Sequence, residues 1–293
     1  MKPCKTACKQ GKVCNFKTGR CINDPKTAKD KDKDEKSSTK TSDTLVCPKR
    51  LHLDDDEFMV SLKKSLKAYY KYGERSNEKL KVLHQYISCA LKHTFAKYHM
   101  PDVVIRSLPM REDRVGGEFY DKNVDITMRH NSHPYGLVSV KFIMSNYKQN
   151  ENNYFENLIG ESLNLKAKSK YRVFWFVLIT FGAIPYFKTN HFLQTLQKFD
   201  KTKYETLREN KNNTPLIPDN ISITLINHTK DFIHPSKFSE MSDTDIDEYI
   251  DKLIKPNGFL SIPDQLNFHR NLEVFTLKTI ANIVDSSSDD GRS

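Results

Sequence analysis

The sequence predicts an α/β protein of the α+β type: a mixed central β-sheet flanked by helices, preceded by a small Cys-rich module. Three observations predict it. Two segments with helical spacing open the body of the chain. Three short segments rich in β-branched residues follow them. A further helical stretch then leads into the longest apolar run, VFWFVLITFGAI at residues 173–184. A meander of short strands needs antiparallel pairing, and a helix leading to another strand needs a crossover, so together they make a mixed sheet. At 293 residues the chain can bury a sizeable core, and 29% charged with 37% hydrophobic residues is the balance of a soluble protein.

The elements follow in order. In DDDEFMVSLKKSLKAYYKYG, Phe58, Leu62, Leu66 and Tyr69 keep helical spacing, and the acids at 54–57 suit a helix N-terminus. A second helix starts at Asn77, with Leu80, Leu83, Ile87, Leu91 and Phe95 on one stripe. PDVVIRSLP, GGEFYDKNVDITM and YGLVSVKFIM are then strands bounded by Gly, Pro and Asn, the last two joined through a turn RHNSHPYG. A helix is expected over residues 151–166, a buried strand over 171–184, a strand over 221–228, and helices over 243–254 and 271–284. No run reaches the roughly 20 apolar residues of a membrane span, and no signal-like segment opens the chain, so an intracellular, soluble protein is expected.

The net charge of +10 is unevenly placed. Residues 1–50 hold 14 Lys and Arg against 6 Asp and Glu, so eight of the ten net charges belong to this arm. Such an arm raises affinity for phosphate backbones without reading sequence, or binds other acidic surfaces. Within it, residues 1–23 carry Cys4, Cys8, Cys14 and Cys21, too short a segment to build a core without cross-linking by zinc or disulfides. The spacing lacks the paired C-x2-C knuckles of common zinc sites, and both alternatives stay open. Cys47 and Cys89 stand alone. Residues 24–44, polar and mixed in charge, form a disordered linker, residues 45–284 the main domain, and residues 285–293 a frayed tail.

Candidate chemistry centres on VDITMRHNSHPYGLVSVKF at residues 124–142. Strand alternation puts Asp125 on one face of its strand and Lys141, with Ser139, on one face of the next. If the strands pair through the intervening turn, Asp125 and Lys141 project from the same side. A carboxylate can hold Mg²⁺, which prefers hard oxygen ligands, and a neighbouring amine can orient water or stabilise charge in phosphodiester hydrolysis. A structural ion pair is the competing reading. Downstream, Asn146, Lys148, Gln149, Asn150, Asn152 and Asn153 form a polar, amide-rich stretch suited to DNA phosphates and base edges. Tyr154, Leu158, Glu161 and Leu165 share a helical stripe, which brings the Glu161 carboxylate to the edge of a sheet-packing face. Glu118, one short strand before Asp125, is a further acid.

The run GGEFYDKNVDITM…GLVSVKFIMSNYKQNENNYFENLIGESLNLK resembles the catalytic core of type II restriction endonucleases of the PD-(D/E)XK superfamily, including virus-encoded ones, over residues 55–200. The resemblance implies a restriction-endonuclease-like fold and a site-specific, Mg²⁺-dependent enzyme with one or two ions per site. It further implies a homodimer acting on double-stranded DNA, with a cognate DNA methyltransferase as an associated activity. Asp125 matches the metal-binding aspartate and Lys141 the lysine. Ser139 stands where the family places its second acid, a departure that makes Glu161, then Glu118, the candidates to supply it, with the Val140 carbonyl as a further ligand. The segment CKQGKVCNFKTGRCI likewise resembles the two-cysteine adaptor module of large DNA viruses, which implies a protein-attachment role for residues 1–23. Two other functions compete: a non-catalytic DNA-binding or virion-associated protein, and a structure-selective repair or recombination nuclease.

Overall fold

The computed structural model describes residues 12–15 and 20–23 by their backbone, and residues 45–108, 110–188, 191–210 and 216–290. The chain divides into two compact units, Met1–Thr41 and Ser42–Ser293. In the first, strands β1 (Lys12–Asn15) and β2 (Arg20–Asn23) form an antiparallel hairpin with Cys14 opposite Cys21. Cys4, Cys8 and the linker expected over residues 24–44 lie outside the described residues.

The second unit opens with helices α1 (Asp55–Tyr72) and α2 (Glu78–Lys97). The Asp54 carboxylate caps α1 by accepting from the Glu57 amide at 2.9 Å, and Gly73, at φ +83°, ends it in the conformation glycine adopts without strain. The sheet that follows has six strands in the order β12-β11-β8-β7-β6-β3. These are β3 (Val104–Ser107), β6 (Ile126–His130), β7 (His133–Ile143), β8 (Val173–Phe181), β11 (Asn220–His228) and β12 (Ile254–Phe259). Strands β3, β6 and β7 make an antiparallel meander. Helix α3 (Tyr147–Ala167) crosses over to β8, which runs parallel to β7, and β11 runs parallel to β8. The mixed sheet flanked by helices expected from the order of elements is present. β8 is buried along its whole length. On one side Trp175 packs on Phe268 and Phe275 of α6 (Phe268–Asp290). On the other, Phe176 stacks on Tyr204 of α4 (Thr202–Glu209).

Several boundaries differ from expectation. The segment GGEFYDKNVDITM is not one strand: β5 (Asp121–Val124) stops at Asp125 and β6 starts after it, while β5 pairs with a separate strand, β4 (Asp113–Gly116). The β6–β7 turn shrinks to Asn131 and Ser132, both with positive φ, the conformation a two-residue hairpin demands. α3 begins at Tyr147 instead of 151, because the amide-rich residues form its first turn. The strand expected over 171–184 bends at Gly182, and β9 (Ala183–Phe187) leaves the main sheet to pair with β10 (Leu193–Lys198). α5 (Asp243–Leu253) appears where expected, with a capping box between Ser242 and Asp245. α6 runs on through Asp290, into the segment read as a frayed tail, where Ser286 bonds the Tyr135 hydroxyl and Asp289 pairs with Lys170. No helix among the described residues is long and apolar enough to cross a membrane.

Cys47 and Cys89 do not stand alone. They form a disulfide that fastens the start of the unit to α2, where the Gln85 amide also bonds the Val46 carbonyl. Their separation of 42 residues was uninformative in sequence, since it matches no local motif. Closing a loop of that length restricts the unfolded chain. Reduction, or Cys89→Ala, is expected to lower unfolding free energy by about 2–4 kcal/mol in denaturant titrations. Identical midpoints with and without reductant would contradict this.

Candidate active site

The interruption at Asp125 creates the site. β6 pairs with β7 from His130 to Ile126, opposite His133 to Val138, and stops there. One residue further, the Asp125 carboxylate accepts the Val140 amide at 2.7 Å. A side-chain oxygen thereby replaces the ladder carbonyl that an unbroken strand would offer, and the acid is held against the end of β7. The β7–β8 register places Ser139 and Lys141 on the face on which Phe174 and Phe176 lie in β8, and Asp125, beyond the paired part of β6, lines the same cavity.

α3 brings the third group. Leu158 and Leu165 are buried against the sheet, and Glu161, between them on the same stripe, is 8% exposed. Ser139 Oγ donates to Glu161 Oε2 at 3.0 Å. Lys122 Nζ lies 2.8 Å from Glu161 Oε1 and Lys141 Nζ 3.8 Å from the same oxygen. A buried carboxylate needs such donors to remain charged. Burial disfavours the Lys122 ammonium, but the bond to Glu161 and its charge outweigh this and raise the Lys122 pKa. Asp125, Ser139, Lys141, Glu161 and Lys122 line one cavity of about 30 Å³, room for a single water. Larger hollows occur elsewhere on the surface, but they do not gather these groups.

The other expected residues are distributed differently. Glu118 is exposed in the β4–β5 turn and does not line the cavity. Asn146 starts α3 in the left-handed conformation and ties it to β9, its Oδ1 accepting the Phe187 amide at 2.9 Å. Asn152 Oδ1 accepts from Lys203 Nζ at 2.8 Å. Lys148, Gln149, Asn150, Asn152 and Asn153 are exposed along the first turns of α3. Val140 occupies the position between Ser139 and Lys141 in β7, its amide committed to Asp125.

Sequence reasoning missed three groups: Lys122, which bonds Glu161 from β5, and two more. Glu112, half-buried, has a raised pKa, first through burial and then through the charge of Asp125, against the opposing charges of Lys122 and Lys141. It therefore stands within electrostatic range of the site. Nothing in its local pattern marks it. His84 of α2 is fully buried, and neither ring nitrogen has a hydrogen-bond partner. Burial lowers its pKa, and Asp125 and Lys141 are the charges that act on it. Its signal was available: position 84 lies i+4 from Leu80 on the apolar stripe.

Mg²⁺ is the ion the chemistry of these donors suits. Two carboxylates, Asp125 and Glu161, line the cavity, and carboxylate oxygens are hard donors of the type this ion takes; Val140 is not part of the lining. Among the described residues no three His, Cys, Asp or Glu side chains are grouped to hold a metal on their own. The chain matches no protein-family model, no curated protein and no solved structure.

The buried histidine makes stability depend on pH. Its folded pKa lies below the unfolded value of 6.5, so below that pH the unfolded chain takes up a proton that the folded chain refuses. Stability is expected to fall as pH drops through about 6.5. His228 and His269 are lowered the same way by burial, so His84→Leu should make the fall shallower without abolishing it. Equal slopes for the two proteins between neutral and mildly acidic pH would contradict this reading.

Proposed function

We propose that the protein is a Mg²⁺-dependent endonuclease that hydrolyses phosphodiester bonds in double-stranded DNA. The observation that carries the reading is the convergence of Asp125, Glu161 and Lys141 on one small cavity, with Glu161 bonded to Ser139. Glu161 thus supplies, from α3, a carboxylate at the strand position where the restriction-endonuclease resemblance expects one. The arrangement of a leading helix, a three-strand meander, a helical crossover and a parallel strand supports the same assignment.

In this reading Asp125 and Glu161 hold Mg²⁺. The bound ion supplies counter-charge for the phosphate and a lower pKa for water. The side chains do the rest. Lys141, whose ammonium faces the cavity, donates a hydrogen bond to the attacking water or to a phosphate oxygen, stabilising charge that grows in the transition state. The Val140 amide fixes the rotamer of Asp125, and Ser139 fixes that of Glu161. Lys122 neutralises Glu161 in the free protein and is available to a phosphate when the carboxylate takes a cation. The exposed Lys148, Gln149, Asn150, Asn152 and Asn153 on α3 are proposed to contact DNA, and a two-fold dimer would match a palindromic site.

One observation favours a second reading, a non-catalytic DNA-binding protein. The 2.8 Å bond from Lys122 satisfies Glu161 as an internal ion pair with no metal. Plasmid cleavage separates the two. With Mg²⁺, the wild-type chain is expected to cut plasmid into discrete fragments, and Asp125→Asn or Lys141→Ala to reduce the rate at least about 100-fold while keeping the fold. DNA binding with intact plasmid across several DNAs, unmethylated ones included, would favour the second reading. Cleavage unaffected by both substitutions would overturn the site.

A further inference from the structure

The β4–β5 hairpin carries a feature that the proposed hydrolysis does not use. Phe119 and Tyr120, adjacent at its tip, are 70% and 53% exposed. Two large aromatic side chains side by side in water are unusual in a loop, and this loop is held rigid. The Asn164 side chain, buried on α3, accepts the amides of Phe119 at 2.9 Å and Tyr120 at 3.2 Å and donates to the Tyr120 carbonyl at 3.0 Å. The Asn164 carbonyl accepts the Glu118 amide at 2.8 Å. The approach is so close that a Cβ on Gly117 would fall 2.2 Å from Asn164 Nδ2. The rings are therefore presented on a fixed support, which lowers the entropy lost when they bind something.

Their position narrows what that could be. Tyr120 lies two residues before Lys122, which lines the cavity and bonds Glu161 at 2.8 Å. The tip thus stands beside the cavity that gathers Asp125 and Lys141. Arg106, Arg111 and Arg114, the last on β4 of the same hairpin, line a hollow of about 380 Å³. All three arginines are exposed, and Arg106 lies 3.8 Å from the buried Asp113. Arg114 is held by Asp121 at 3.2 Å, but both are exposed and a phosphate can compete for such a pair. Flat apolar faces next to cationic forks suit a base and its phosphates.

We propose that the Phe119–Tyr120 tip is a stacking platform for an unstacked DNA base next to the phosphate at the Asp125 cavity. The inference rests on the DNA-cleaving reading and deepens it: the favoured substrate carries a base that is unpaired, or easily unpaired, at the cut. Freeing a base costs least at a mismatch, which sets the substrate preference.

Fluorescence anisotropy with the full chain in EDTA tests this, using a labelled duplex and the same duplex with one central mismatch. Wild type is expected to bind the mismatched duplex several-fold more tightly. Phe119→Ala/Tyr120→Ala is expected to lose that preference and to bind the mismatched duplex about 5- to 150-fold more weakly, the range of base–aromatic stacking. Phe119→Tyr and Tyr120→Phe, which keep the rings, should retain it. Both positions are exposed, so thermal midpoints should not move. Equal affinity for the two duplexes, with the double alanine variant binding like wild type, overturns the platform and leaves the cleavage reading intact. Failure of wild type to bind either duplex overturns both.

Discussion

The hydrogen bond from the Val140 amide to the Asp125 carboxylate organises the rest of the site. A backbone strand continued through residue 125 would pair by its carbonyls, and its side chain would project away from the ladder. Here the strand breaks, the side chain takes over the pairing, and β5 is released to join β4 in a separate hairpin. The same break thus fixes an acid at the sheet end and frees the hairpin that carries Lys122 into the cavity. Asn164 then locks that hairpin to α3, the helix that delivers Glu161. Three elements distant in sequence are held in one arrangement by a few side-chain-to-backbone bonds.

Glu161 is costly to keep where it is. A carboxylate that is 8% exposed on an apolar stripe between Leu158 and Leu165 is stable only because Ser139, Lys122 and Lys141 surround it. Any apolar residue of similar size would pack there at less expense. The same surroundings explain why a serine can stand at position 139. An aspartate there would bring a second negative charge against Glu161, whereas a hydroxyl donates to it. The serine and the glutamate are two halves of one solution, and the Lys122 and Lys141 ammonium groups balance the charge.

Much of this was legible in the residues. Period-two alternation put Ser139 and Lys141 on one face of β7, and period-3.6 spacing put Glu161 on the buried side of its helix. The meander and crossover followed from the order of segments. What was not legible depends on contacts distant in sequence. The break at Asp125 is invisible to alternation, which reads GGEFYDKNVDITM as one strand. The continuation of α6 past Ser286 is tied to Tyr135 and Lys170, contacts distant in sequence, where composition alone assigns a tail. The Cys47–Cys89 disulfide joins positions with no shared motif. Glu112 gave no signal, and His84 gave one only as a polar residue on an apolar stripe.

The central claim is that the acid absent at position 139 is supplied in space by Glu161. The direct measurement is Mg²⁺-dependent plasmid cleavage by Glu161→Gln and by the same variant carrying Ser139→Asp. The account predicts that Glu161→Gln loses at least about 100-fold in rate and that adding Ser139→Asp restores a substantial part of it, since the carboxylate returns to the same cavity from the strand. Wild-type rates in Glu161→Gln would contradict the account. So would a double variant no better than the single one while both remain folded.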